Sequence, residues 1–159
     1  MNVTIVCIGK LKEKYWRDAV SEYMKRLKGY CAPKIIELKE ARLPQSAGTA
    51  EEQAVKEAEG REILGKIAPH QFVISLEIQG KKVSSPAFAE KIRGLALDGR
   101  SDLVFVIGGS LGLSPAVSQR ADWKLSFSDM TFPHQLMRVI LLEQVYRAFK
   151  IIHNEPYHK

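Results

Sequence analysis

Three stretches of this chain are apolar and rich in β-branched residues, and each stops at a glycine. They are residues 2–8 before Gly9, residues 71–78 before Gln79-Gly80, and residues 102–107 before Gly108-Gly109-Ser110. Such runs read as buried strands. Helical spacing fills the intervals. Over residues 13–28, Tyr15, Trp16, Ala19, Val20, Tyr23, Met24 and Leu27 recur at three- and four-residue steps with Lys and Arg between them, and Gly29 ends the pattern. Pro33 precedes a short strand at 34–38. A loop at 40–48 leads to an acidic helix over 49–67, where Thr49 and Glu52 form a capping-box pattern. Ser85 and Pro86 open a helix over 85–97 as cap and first-turn residue. A short helix at 115–120, a short strand at 123–126, a long apolar helix from Pro133 to residue 152 and a polar tail complete the chain. Strands alternating with helices predict an α/β fold with a mainly parallel sheet flanked by helices. With no repeat, low-complexity stretch or linker, residues 1–159 read as a single domain.

The formal net charge is +6, and it is unevenly placed. Residues 1–42 hold ten Lys/Arg against five Asp/Glu, a net of +5. A basic face suits a polyanion such as RNA, although a solvated helix face has the same composition. Cys7 lies in an apolar run and reads as a small buried hydrophobe. No signal-like or membrane-length apolar segment is present, which predicts a cytoplasmic protein with reduced thiols and no membrane contact. The helix from Pro133 carries more apolar residues than one sheet can cover. It reads either as the central helix of a monomer or as a helix that packs on a partner in a dimer.

Glycine after Ile107 lets backbone approach a ligand at a strand's carboxyl end. The spacing Gly108-Gly109-x-x-Gly112 is neither a dinucleotide fingerprint nor a P-loop, and Gly109-Ser110-Leu111-Gly112 lacks the nucleophile-elbow frame. A second stretch, Ser126-Phe127-Ser128-Asp129-Met130-Thr131-Phe132, leads into the helix at Pro133. The free amides there suit an anionic group, and Ser128, Asp129 or Thr131 would equally serve as a cap. The third, Leu76-Glu77-Ile78-Gln79-Gly80, is weak alone. It gains meaning if three strand ends gather on one edge of a parallel sheet. The two cysteines are far apart, and His134, His153 and His158 do not form a ligand set, so no metal is expected. His70 follows a proline in a loop and reads as a surface histidine.

These three stretches, with Arg138-Val139-Ile140-Leu141-Leu142-Glu143-Gln144-Val145-Tyr146-Arg147-Ala148, the terminal Tyr157-His158-Lys159 and the opening Gly9-Lys10-Leu11-Lys12-Glu13-Lys14-Tyr15, closely resemble one family across essentially the whole chain. It is the bacterial RlmH, or YbeA-like, family of SPOUT-class large-subunit ribosomal RNA pseudouridine N3-methyltransferases. The resemblance implies an α/β SPOUT fold with a trefoil knot near the C-terminus, a homodimer, and S-adenosylmethionine held in the knot. By position, the donor-binding residues would be Leu76, Gly108, Phe127, Ser128, Asp129, Met130, Thr131 and Phe132. The substrate would be a pseudouridine in ribosomal RNA of the assembled ribosome.

Methylation at N3 must remove a proton, so a base or an anion-stabilising group is needed. Candidates are His134, Arg138, Tyr157 and His158: His134 as proton acceptor or hydrogen-bond partner, Arg138 and His158 as phosphate or anion partners. The polar, aromatic tail has little core to pack on. It is either a frayed end or an arm that crosses the dimer to the partner's donor site. Rival readings are a SPOUT methyltransferase acting on transfer RNA and a non-catalytic RNA-binding factor. A nucleotide-binding oxidoreductase is disfavoured by the failed fingerprint.

Overall fold

A computed structural model describes residues 1–159. In chain order the elements are β1 (Asn2–Ile8), α1 (Lys14–Leu27), β2 (Ala32–Leu38), α2 (Thr49–Leu64), β3 (Phe72–Lys82), α3 (Ser85–Leu97), β4 (Asp102–Ile107), α4 (Pro115–Arg120), β5 (Trp123–Ser126) and α5 (His134–Ile152). The five strands form one sheet in the order β2-β1-β4-β3-β5, and every pairing is parallel.

The apolar strands are explained by burial on both faces. Val3, Ile5 and Cys7 of β1 point to one side, with Phe105 of β4, Phe88 of α3, Leu27 of α1 and Leu142 of α5. Val6 and Ile8 point to the other, with Val104, Val106, Ile63 of α2 and Val117 of α4. Helices α1, α3 and α5 therefore cover one face, and α2 and α4 the other. Connections through the first face step one way along the sheet (β1 to β2, β3 to β4), and those through the second face step the opposite way (β2 to β3, β4 to β5). All four crossovers thus share one hand, as parallel connections do.

Several boundaries differ from the sequence expectation. β2 begins at Ala32 and includes Pro33, which is tolerated because β2 is an edge strand hydrogen-bonded only to β1. The N-cap of α2 is Gly48, whose amide donates to Glu51 Oε2 at 2.6 Å, so the expected pairing of Thr49 with Glu52 does not form, and the helix ends at Leu64. Ser84, not Ser85, caps α3 by accepting from the Ala87 amide at 3.3 Å; Ser85 Oγ instead donates to Gln144 Oε1 on α5 at 2.7 Å. Pro133 occupies the N-cap of α5, and no side chain caps that helix.

The largest difference lies in β3, which runs past Gly80 to Lys82. Leu76 and Lys81 both pair with Leu125, so residues 77–80 bulge out of the β3–β5 ladder. A Cβ on Gly80 would sit 2.7 Å from the Leu125 carbonyl carbon, so glycine is what permits this approach.

Helix α5 buries Leu141, Leu142, Val145, Ala148 and Phe149 against α1, α3 and the sheet. Leu136, Val139 and Ile140 stay only half-buried within the chain. The tail is packed rather than frayed. Tyr157 is half-buried with its ring edge-on to Tyr146 at 5.0 Å, Arg147 lies 4.7 Å over it, and Glu155 accepts from Tyr30 at 2.6 Å. Cys7 is fully buried, and burial pushes its thiol up to about 11, as a packing residue requires.

Candidate active site

Because all strands are parallel, their carboxyl ends share one edge of the sheet. At the β4-β3-β5 half of that edge lies a cavity of about 510 Å³, within the range that holds a cofactor-sized ligand. Three loops wall it: Leu76-Glu77-Ile78 from β3, Gly108 to Leu113 after β4, and Phe127 to Phe132 after β5. His134 and Met137 of α5 close one end.

Each wall has a local cause. After β4 the chain turns tightly, with the Gly112 amide donating to Gly109 O at 3.1 Å and Gly112 at φ 81°. A Cβ on Gly108 would lie 2.9 Å from the Gly112 carbonyl carbon. After β5, Ser126 Oγ donates to Ser128 O at 3.1 Å, and Ser128 Oγ accepts from the Met130 amide at 3.0 Å. These bonds stiffen a loop that leaves Met130 and Phe132 exposed at the rim. The β3 wall is the bulge, whose Glu77 and Ile78 line the cavity.

Seven of the eight residues matched to donor binding line this one cavity: Leu76, Gly108, Phe127, Ser128, Met130, Thr131 and Phe132. Asp129 does not; its carboxylate turns outward into an ion pair with Lys82. Glu77 is a cavity residue that sequence reasoning did not single out. It accepts from Ser75 Oγ at 2.5 Å and from Ser118 Oγ at 3.0 Å. Ser118 lies on α4, 41 residues further along the chain, and no local signal marks it.

The four residues proposed for the chemistry separate in space. His134 lines the cavity, half-buried beside Gly9, whose added Cβ would lie 3.4 Å from Nε2. Burial first, and then the Arg138 charge, hold its pKa below the ordinary 6.5, so the ring is neutral at pH 7. Arg138 is fully buried and does not reach the cavity. Its guanidinium donates to Ile8 O at 2.7 Å, to Gly9 O at 2.9 Å and to Glu37 at 2.7 Å, leaving it no free face for a phosphate. Tyr157 and His158 follow α5 and lie beside its far half, where Arg147 bridges Glu143 and His158 Nδ1. From His134 to Arg147 the helix rises about 20 Å, so neither tail residue touches the cavity of its own chain. Burial pushes the Tyr157 phenol up to about 12, so it is a hydrogen-bond donor at neutral pH. No group of three His, Cys, Asp or Glu side chains is placed to hold a metal, and no helix is long and apolar enough to cross a membrane. His70 is exposed, with Nε2 3.3 Å from the Asp102 carboxylate.

Fold and cavity together define an α/β protein with a cofactor-sized cavity at the carboxyl edge of a parallel sheet. A family model described as predicted SPOUT methyltransferase matches residues 1–158. The chain belongs to the SPOUT methyltransferase family. A protein of Clostridium acetobutylicum named ribosomal RNA large subunit methyltransferase H is 55% identical over 159 residues, covering 100% of both chains. A protein of the same name from Clostridium novyi is also 55% identical over 100% of both chains. A putative ribosomal RNA large subunit methyltransferase H of Methanococcus maripaludis is 54% identical over the same span. Among solved structures, a probable methylase family protein from Haemophilus influenzae aligns with a TM-score of 0.55 at 14% identity, covering 99% of this chain and 70% of that one. At that identity the likeness speaks to the fold alone.

Proposed function

We propose that this protein methylates N3 of a pseudouridine in large-subunit (23S) ribosomal RNA, on the assembled ribosome in the cytoplasm, with S-adenosylmethionine as donor. The observation that carries the reading is the meeting of three separate loops, after β3, β4 and β5, around one cavity with a neutral His134 at its end. The names of the full-length relatives supply the acceptor class.

The cavity suits a nucleoside-bearing donor. Leu76, Ile78, Leu113 and Phe127 offer apolar surface for a purine, and the glycine turn brings backbone close enough for hydrogen bonds. Leu76, Gly108 and the loop from Phe127 to Phe132 would hold the donor, which supplies an electrophilic methyl group on a sulfonium. In this reading the chain is knotted where these loops thread past one another. His134 accepts the N3 proton as the base is methylated. A ring that is neutral at pH 7 has the free lone pair this needs. Arg138 acts through its neighbours, fixing Gly9 and the first turn of α5 so that His134 keeps its place.

The remaining candidates act across a homodimer. Tyr157 and His158, beside the far half of α5, lie too far away to serve their own cavity. A twofold pairing that covers the half-buried Leu136, Val139 and Ile140 would bring each tail to the partner's cavity. There Tyr157 donates a hydrogen bond and His158 meets a phosphate or the developing N3 anion.

The deciding experiment is transfer of labelled methyl from S-adenosylmethionine to ribosomes that lack the modification, with separated subunits and bulk transfer RNA in parallel. Label confined to large-subunit RNA of intact ribosomes, mapped by mass spectrometry to a methylated pseudouridine, is expected. Label in transfer RNA would overturn the substrate, and absence of donor binding would overturn the enzyme.

A further inference from the structure

The donor cavity occupies only the β4-β3-β5 half of the sheet's carboxyl edge. The β1-β2 half of the same edge is the start of two loops, residues 9–13 after β1 and residues 39–48 after β2. They carry Lys10, Lys12, Lys39 and Arg42, all exposed. None of the four forms an ion pair. The acids at this edge offset them only in part: four cations face two carboxylates outside any ion pair, Glu13 and Glu40. Glu37 is taken by Arg138, and Glu40 lies beside Gly9, toward His134.

The first of these loops is held in place. Arg138 grips the carbonyls of Ile8 and Gly9, the Leu11 amide donates to Glu37 at 3.2 Å, and Arg17 donates to the carbonyls of Leu11 and Lys12. Gly9 turns the chain at φ 85° and lies against His134. Three side chains thus fix five residues that present two free lysines, Lys10 and Lys12, and one free carboxylate, Glu13. Fixing the backbone in advance removes an ordering cost from binding.

We infer that this basic shoulder, Lys10 and Lys12 with Lys39 and Arg42, is a phosphate clamp that grips the RNA backbone beside the target nucleotide and feeds the base to His134. The inference rests on the RNA-modifying reading above. Its chemistry is sequence-independent: cations on a rigid edge fix the register of a strand while the cavity reads the base. Two shoulders in a dimer would present the same surface twice, but an asymmetric substrate uses one at a time.

The test compares the wild-type protein with Lys10→Ala/Lys12→Ala and with a control, Lys28→Ala/Lys66→Ala, whose exposed lysines lie at the opposite, amino edge of the sheet. Binding to ribosomes lacking the modification is measured across a salt series, alongside methyl transfer and donor affinity. Four clamped phosphates give a log–log salt slope of about 3, and the shoulder variant should lower it by about 1.5. Its KM for ribosomes should rise at least about fivefold at physiological salt, with donor affinity, Tm and kcat at saturation unchanged. Lys10→Arg/Lys12→Arg should restore the slope. Equal losses in the shoulder and control variants, or an unchanged slope in the shoulder variant while the wild type methylates ribosomes, overturns the clamp alone. A wild-type protein that neither binds nor methylates ribosomes overturns the underlying reading, and the clamp with it.

Discussion

Arg138 and Glu37, separated by 101 residues in sequence, meet at 2.7 Å with the guanidinium wholly buried and its Nε without a partner. The pair joins the first turns of α5 to the carboxyl ends of β1 and β2, and through Ile8 and Gly9 to the loop beside His134. Removing the arginine strands two carbonyls and a carboxylate. Arg138→Ala should therefore cost about 3 to 5 kcal/mol in urea unfolding. Glu37→Gln, which keeps a hydrogen-bond acceptor, should cost about 1 to 2 kcal/mol. Equal costs would mean that the bonds to Ile8 and Gly9 contribute nothing.

Protonation of His134 should be visible in stability. Its folded pKa lies below the ordinary 6.5, so the unfolded chain takes up the proton first. The stabilisation is present in full above 6.5, and it is lost as pH falls through the lower folded value. The wild type should therefore lose stability more steeply than His134→Gln between pH 7 and pH 5. Methyl transfer at saturating substrates should fall over the same interval, and a transfer rate that rises on acidification would exclude His134 as the proton acceptor.

Two helical glycines should respond to alanine with opposite signs. Gly94 of α3 has open space where a Cβ would go, so Gly94→Ala should gain about 0.5 to 1 kcal/mol from helix propensity. Gly60 of α2 faces Ser114, and its Cβ would lie 2.9 Å from that residue's Cβ and closer still to Oγ. Overpacking outweighs propensity there, and Gly60→Ala should lose about 1 to 2 kcal/mol. Thermal unfolding of the two variants side by side decides the matter.

Subunit mixing tests the crossed tails. Deleting residues 155–159 should abolish methylation while donor affinity and dimerisation survive, and His134→Ala should be inactive as well. If each tail serves the partner's cavity, mixing the two dead proteins restores about a quarter of the wild-type sites, because half the dimers are mixed and each has one intact site. A tail that serves its own chain gives no recovery.

Where a strand ends in glycine, the signal is contiguous, and the sequence reading placed β1, β4, α4 and β5 at their observed bounds. The cavity loops were legible in part: Gly108 and Phe127 follow the ends of β4 and β5, Leu76 stands where the regular pairing of β3 stops, and a parallel sheet gathers such ends on one edge, while the assignment of these residues to a donor came from the family resemblance. What escaped depends on distant partners. Arg138 looked like a substrate cation because nothing local to it shows that Ile8, Gly9 and Glu37 would surround it. Glu77 needed Ser118, 41 residues on. The bulge at residues 77–80 hid behind a glycine that reads as a strand end but marks a close approach of two backbones. The tail read as lacking a core because its partners, Tyr30 and Tyr146, belong to other elements.

The parallel sheet also sets the order in which the chain can assemble. β1 can pair with β2 as soon as the first 38 residues are made, yet its other neighbour, β4, begins at Asp102 opposite Asn2. At ordinary synthesis rates the open side of β1 waits about 4 to 14 seconds for that partner. During that interval a largely apolar strand, meant for the interior of the sheet, is an exposed edge. Renaturation should accordingly be slow for a chain of this length, and folding during synthesis should be most error-prone before residue 107 has been added.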